Sequence, residues 1–417
     1  MILTELPLDT QSRAETPSAF ISLETARQQS SPIVMAPISA PLLRRYGPGA
    51  ASGQAGSLAG DPAAEWADGQ TEAHCDQRAV VLADETFWTL WGAQLAHCFE
   101  EAYGRVEIRP IAGTETCKTF DRLGAVLQVF CDLELDRRRD ALFAIGGGAV
   151  LDLVGFAASI YRRGVAVTKI PTTLMAQVDA AVGLKNAINF NGTKNIVGSF
   201  CPPRSVLVDT RFLTSLPPRQ FANGMAEILK IALVLDAGLF AAVAAAGPAH
   251  AEGAAQQDLY RRAIELMVRE LNANPYEQIL TRAVDFGHWL SPYVELQDPD
   301  LLHGEAVAID IANSLMLSHR RGWLTAPAMA AALHAFRRFG LPLTHPLVSA
   351  RTVQGALDGT VKSRGGRQNI PLCTGIGSHA FACDLTVAEV LAADAALRHW
   401  AAKTREEPAA EGRLAHV

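Results

Sequence analysis

The segment 141–195, ALFAIGGGAVLDLVGFAASIYRRGVAVTKIPTTLMAQVDAAVGLKNAINFNGTKN, restricts the possible folds more than any other part of this chain. It opens on five apolar residues in a row, the pattern of a strand buried on both faces. Gly146, Gly147 and Gly148 follow without a spacer, and a helical pattern then runs over 150–161. Glycines between a strand and a helix let a ligand approach the backbone. The start of the helix adds unpaired N–H groups and a partial positive charge, which suit a pyrophosphate. A plain tight strand-to-helix connection explains three glycines equally well.

The remainder of the segment is rich in Ala, Val and Gly, and its polar residues are few and placed: Asp179, Lys185, Lys194 and Asn195. Charges in so apolar a run face a ligand or each other more often than they decorate a loop, although a surface loop with ordinary lysines is the alternative. Pro171, Thr172 and Thr173 end the next strand with two hydroxyls where a nucleotide could lie.

Upstream, RAVVLAD (78–84) reads as a strand, 86–101 as an amphipathic helix, RVEIRPI (105–111) as a strand and 120–133 as a helix. The alternation predicts a parallel sheet covered by helices, a nucleotide-binding α/β domain over 71–215. Its ligand belongs at the carboxyl ends of the strands, where Asp84, residues 113–118 and the glycines fall. Asp84 there suits a ribose hydroxyl, and a turn-forming Asp is the alternative. After SLPPRQ the character changes. Helical patterns over 221–235, 258–272, 278–294, 304–321 and 326–339 predict a mostly helical second domain, 216–401, with an extended piece at 369–373. Residues 1–70, rich in Ser, Pro, Ala and Gly, are expected to form a poorly structured extension apart from a strand near 19–23. The tail, 402–417, is expected to fray.

At 417 residues the chain is long enough for two domains. Half of it is hydrophobic, yet no uninterrupted apolar run reaches the ~18 residues that would span a bilayer, so no membrane partner is expected. The opening MILTELPLDTQSRAET lacks the layout of a secretory signal. Seven cysteines, odd in number and without CxxC pairing, fit reduced thiols in a cytoplasmic protein. A net charge of −6 with no basic block argues against nucleic acid.

Three groups in the helical half carry chemistry. NGMAEILK sets Glu227 and Lys230 three residues apart on one helix face, among apolar neighbours. DFGH sets Asp285 and His288 three apart. LLHGEAVAID places His303 just before a helix with Glu305 in its first turn. A lone His in such settings is more often a core or capping residue. One Glu and two His from separate segments would also make a three-ligand divalent site with open positions, as a catalytic metal requires. Spacing alone leaves both readings standing.

Taken together, GGGAVLDLVGFAASIYRRG, PTTLMAQVDAAVGLKNAINFNGTKN, LPPRQFANGMAEILK, DFGH and LLHGEAVAID resemble the sugar phosphate cyclase superfamily, of which 3-dehydroquinate synthases are the best-known members. The likeness covers roughly 78–375. DFGHxxSP, with YRRG and NGxAEILK, looks like the sedoheptulose 7-phosphate cyclases, and most like their 2-epi-5-epi-valiolone synthase branch. The 2-epi-valiolone and demethyl-4-deoxygadusol synthases are the neighbouring alternatives. The chain departs from the branch at Asn186-Ala187, where Thr-Gly is usual, at Trp289-Leu290 for Thr-Phe, and at Ser363 for His.

The resemblance implies a sheet domain followed by a helical one, an NAD cofactor, a divalent metal (zinc or cobalt), a sugar phosphate substrate and a homodimer. By matching position, it implies Glu227, His288 and His303 as metal ligands. Glu115, Lys118, Asp152, the three glycines, Thr172 and Thr173 would lie on the NAD side. Asp179, Lys185, Asn195, Lys230, Asp285 and Lys362 would line the substrate pocket. Lys194 matches a lysine that touches cofactor or substrate, and Arg163 an arginine that reaches the substrate phosphate across the dimer. The reaction implied is hydride removal, phosphate elimination, hydride return and aldol closure, a lyase with no net redox change. Asp285, as an added negative charge near the metal, would disfavour a carboxylate-bearing substrate. The rivals are a metal-dependent alcohol or glycerol dehydrogenase and a binding protein that retains NAD without turnover.

Overall fold

The computed structural model describes residues 31–47, 77–246 and 253–404. Its first half runs β1 (Ile33–Met35), α1 (Ala40–Tyr46), β2 (Arg78–Asp84), α2 (Glu85–Ala102), β3 (Arg105–Ile111), α3 (Phe120–Asp132), β4 (Ala141–Gly146) and α4 (Gly148–Ile160). It continues with β5 (Val167–Pro171), β6 (Lys185–Phe190), β7 (Thr193–Phe200) and β8 (Ser205–Val208). Six strands form a parallel sheet in the order β1-β8-β5-β4-β2-β3. The winding reverses at β2, because β3 lies on one side and β4, β5 and β8 step away on the other. The carboxyl ends of β2 and β4 therefore flank a switch point, the place where such sheets bind ligands.

Alternation along β2 separates the two layers. Val80 and Leu82 pack with α3 and α4, while Ala79, Val81 and Ala83 pack with α1 and α2. The strands β6 and β7 form an antiparallel hairpin turned by Asn191 and Gly192, both at positive φ, and the hairpin packs on α4.

The second half contains α5 (Pro218–Leu235), α6 (Ala237–Ala246), α7 (Ala254–Ala273), α8 (Ser291–Glu295), α9 (His303–Arg320), α10 (Ala326–Arg338) and α11 (Ala350–Ser363). An antiparallel pair, β9 (Ile370–Gly375) and β10 (Ser378–Ala382), and α12 (Val387–Lys403) complete it. Residues 225–234 of α5 and 306–318 of α9 are buried without interruption, so these two helices form the centre around which the others pack.

Three expectations need correction. The helix expected over 278–294 does not exist: a single turn at Ala283–Asp285 and the short α8 take its place. Gly287 sits at φ +76, a left-handed turn, and a Cβ there would come within 2.6 Å of Ile311. The apolar run FGHWL reflects a turn buried under α9, not a helical face. Within the extension expected to lack structure, β1 and α1 are regular elements; a three-residue strand has no periodicity to read and owes its existence to pairing with β8. The helices α6, α11 and α12 and the strand β10 are additions to the expected elements. The strand expected near 19–23 and the tail beyond 404 lie outside the described residues. No described helix is long and apolar enough to cross a membrane. The six described cysteines are all unpaired.

Candidate active site

Glu227 lies in the middle of α5, completely buried. His303 reaches it because α9 starts against α5. Gly304 N–H donates to Asn223 Oδ1, and a Cβ on Gly304 would fall 2.1 Å from the Asn223 carbonyl oxygen, so only glycine permits this approach. His288 follows the Gly287 turn, which is held from behind by Asp310: its carboxylate accepts N–H bonds from Leu290 (2.6 Å) and Ser291 (2.9 Å). Burial pushes the Asp310 carboxyl up to about 6 despite those donors. The outcome is a compact triad. His288 Nε2 is 3.7 Å and His303 Nε2 3.6 Å from Glu227 Oε1, and one ligand atom from each residue lies within 4.8 Å of the others.

The donor set fits a divalent cation. Glu227 Oε1 is buried and accepts no hydrogen bond, an uncompensated position that a cation would satisfy. One carboxylate and two imidazoles leave room for substrate oxygens. Lys230, one turn along α5, is ion-paired with Glu227 Oε2 and is as deeply buried. Burial alone would weaken the acidity of Glu227, but Lys230 and the two histidines hold its carboxyl far below the ordinary range. The histidines part company. Burial, with the nearby Lys230 charge, pushes His288 down to about 3. For His303 burial also works downward, yet the carboxylates of Glu227 and Glu295 on either side of the ring outweigh it and raise the imidazole to about 10.

Across from this triad lies the glycine turn. Gly146 closes β4 beside Pro171 of β5, and the Thr172 N–H donates to the Gly146 carbonyl at 3.0 Å. A Cβ on Gly147 would come 3.3 Å from Thr173, so the glycines keep a backbone cradle clear at the start of α4, which has no acidic residue in its first turn. That cradle fits a dinucleotide phosphate. The segment Ala176–Ala180 joins the two halves of the site. Ala180 sits 3.3 Å from a Cβ on Gly148, and Asp179 lies in the field of Lys230, Glu227, His303 and Lys185. Burial raises the Asp179 carboxyl most, against the pull of Lys230.

A second cluster lies on the sheet side. Lys118 Nζ is 2.7 Å from Asp152 Oδ2, also donates to Asn195 Oδ1, and stands 3.8 Å from Glu115 Oε1. Asn195 thus joins the nucleotide side and not the metal triad. Lys169, fully buried on β5, accompanies Asp152; burial lowers its pKa. Asp84 caps α2 by accepting the Phe87 N–H at 2.8 Å, and its other oxygen faces Gly113 at the switch point.

Asp285 is not a lone negative charge, which corrects the argument that it repels a substrate carboxylate. Arg282 Nη2 lies 2.9 Å from Oδ1 and Arg364 Nη2 3.1 Å from Oδ2. The array continues through Glu277, which pairs with Arg282 and, at 2.5 Å, with Lys185. Two of the departures from the branch pattern turn out to be core residues. Trp289 donates to Ser314 Oγ at 3.0 Å in the interior, and Asn186 is buried against Gly155. Ser363 is exposed and bonds the Thr360 carbonyl.

Two expected residues stand apart. Lys362 is exposed on the last turn of α11. Arg163 is exposed beyond the far end of α4, whose 13 residues put it about 20 Å from the glycine turn. Sequence reasoning missed Arg282, Arg364, Glu277, Glu295, Lys169 and Asp310. The lysine inside the apolar strand VTKIP and the Asp inside AVAIDIAN were the available signals, since a buried charge demands a partner. The other four sit in irregular backbone or at helix ends, where no period points to a face.

Residues 108–223 match the family model for the 3-dehydroquinate synthase N-terminal region and residues 224–360 that for its C-terminal region. The chain is 39% identical to a 2-epi-5-epi-valiolone synthase of Streptomyces hygroscopicus subsp. jinggangensis over 78% of its own length and 82% of the relative's. It is 33% identical to a demethyl-4-deoxygadusol synthase of Trichormus variabilis, over 76% and 80%. A solved 2-epi-5-epi-valiolone synthase from the same Streptomyces, with NAD+ and Zn2+ bound, superposes with a TM-score of 0.81 at 34% identity, covering 91% of this chain and all of that one.

Proposed function

The chain belongs to the 3-dehydroquinate synthase family, and from that premise we propose that it converts sedoheptulose 7-phosphate to 2-epi-5-epi-valiolone with loss of phosphate. The observation that carries the proposal is the triad of Glu227, His288 and His303, joined to the glycine turn through Asp179 and Ala180. Glu227, His288 and His303 would hold a zinc or cobalt ion. Gly146, Gly147 and Gly148 would take the NAD pyrophosphate, with Asp84, Glu115, Lys118, Asp152, Thr172 and Thr173 around it. When bound, NAD+ accepts and returns one hydride and the cation polarises the carbon's oxygen.

The protein's own residues do the rest. Lys230, itself buried and held charged by Glu227 and Asp179, would set a positive charge beside a substrate oxygen that becomes anionic. Lys185, in the field of Asp179, is a donor for the hydroxyls and the phosphate, which is dianionic and wants charged partners. Arg163, too distant within one chain, is assigned to the site of a second copy, so a cytoplasmic homodimer is part of the proposal. The preference for a sugar without a carboxylate rests on the 2-epi-5-epi-valiolone synthase relatives, since Arg282 and Arg364 compensate the Asp285 charge.

To test this, purified protein is incubated with NAD+ and Zn2+ or Co2+, with sedoheptulose 7-phosphate or the corresponding heptulosonate phosphate, and phosphate release and absorbance at the NADH band are followed. Phosphate release from sedoheptulose 7-phosphate without NADH accumulation is expected, and NMR of the dephosphorylated cyclitol identifies the epimer. Release from the heptulosonate phosphate alone overturns the substrate; steady NADH production from a simple alcohol overturns the reaction class. His288→Ala abolishes turnover.

A further inference from the structure

We propose that Glu295 is a positioning residue for His303, held in turn by Lys194. The inference rests on the metal-centre reading above and deepens it. Glu295 ends α8 and its side chain is only 10% exposed. One carboxylate oxygen takes Lys194 Nζ at 2.6 Å; the other faces His303 Nδ1 at 3.3 Å. At neutral pH a carboxylate can only accept, so the imidazole proton is held at Nδ1. Nε2, which faces Glu227 Oε1 in the triad, is then the nitrogen that gives up its proton and offers its lone pair to a cation. His288 is treated the same way by a weaker acceptor, the Phe286 carbonyl, 3.2 Å from its Nδ1. Both rings are thus fixed from outside with Nε2 free for a cation.

A carboxylate this deep needs a counter-charge, and Lys194 supplies it. Lys194 comes from β7, in the hairpin that packs on the glycine-turn helix α4. The Lys194–Glu295–His303 chain therefore ties the nucleotide half of the molecule to a ligand of the metal. Through that ion pair Lys194 is a strut between the two halves, and its ammonium keeps further N–H donors for a ligand.

The test uses Glu295→Gln, Glu295→Ala and Lys194→Met. Zinc affinity is measured by chelator competition and the ligand field by the visible spectrum of the Co2+ form. Glu295→Ala should weaken zinc about 10–100-fold, the range for outer-shell partners of a ligating histidine, and shift the cobalt bands. Glu295→Gln, whose amide oxygen still accepts from Nδ1, should lose less. Lys194→Met should weaken zinc in the same direction. Zinc affinity and cobalt spectrum unchanged in both Glu295 variants would overturn the proposal, as would Lys194→Met leaving zinc affinity unchanged. Glu295→Gln preserves shape, so the answer does not depend on Glu295→Ala folding. A wild-type protein that binds neither zinc nor cobalt overturns the metal centre itself; one that binds them equally well with and without Glu295 overturns only this inference.

Discussion

Lys230→Met tests whether the buried charges of the site form one compensated unit. The substitution retains the apolar stem and removes the ammonium that lies against Glu227 and in the field of Asp179 and Asp285. Breaking a buried pair by removing one partner costs about 3–5 kcal/mol. At about 2.1 cal/mol/K of unfolding entropy per residue, a chain of 417 residues has roughly 0.9 kcal/mol/K, so Tm of the metal-free protein should fall by ~3–6 °C. Saturating Zn2+ should recover most of that loss, because the cation replaces the missing positive charge beside Glu227. Zinc should also bind at least as tightly as in the wild type, since a like charge has been taken away. The deficit should be smaller at pH 5 than at pH 8. Burial raises the Asp179 carboxyl, and a carboxyl with a raised folded-state pKa contributes stability that is lost as pH rises through that value. Differential scanning fluorimetry of the EDTA-treated and Zn2+-saturated protein, each at both pH values, gives the four numbers. A metal-free Tm within 1 °C of wild type, or a deficit that Zn2+ leaves untouched, would refute the reasoning.

Other expectations are independent of that one. Because His303 titrates near 10 and His288 near 3 in the metal-free site, loading one Zn2+ at pH 7.5 should release about one proton, from His303, and none from His288; a weakly buffered indicator dye reads this directly. Affinity for metal should accordingly rise with pH over the neutral range. Gly147→Val, whose Cβ must push against Thr173, should weaken NAD+ at least tenfold while leaving zinc affinity intact, as titration calorimetry would reveal. Asp285→Asn leaves Arg364 without its carboxylate and Arg282 with Glu277 alone, so kcat/KM should move toward the heptulosonate phosphate relative to sedoheptulose 7-phosphate; no change in the ratio would remove Asp285 from the substrate wall.

Much of this protein is legible without coordinates. The alternation of apolar strands with amphipathic helices over 78–160 is a matter of period, and the observed β2–α4 lie within two residues of the expected bounds. The three glycines, the Glu227–Lys230 pair and the two histidines could be picked out by residue type, because burial of such groups is costly unless they face a ligand or one another. What the period could not convey was the backbone between 274 and 302. There a left-handed Gly287 and the Asp310 carboxylate, not a helix, aim His288, and the apolar run reads the same in either case.

Local sequence, then, determined the sheet layers, the glycine turn and which polar groups in the helical half stand among apolar neighbours, since these follow from spacing and from what each side chain can bury. Convergence was decided only in three dimensions. Glu227 and His303, 76 positions apart, come within 3.6 Å because Gly304 lets α9 rest on α5. Likewise Asp285 looks like an added charge in the chain and becomes a compensated one in the fold, through Arg282 and Arg364. Electrostatics depends on distance, and distance across a fold is set by packing.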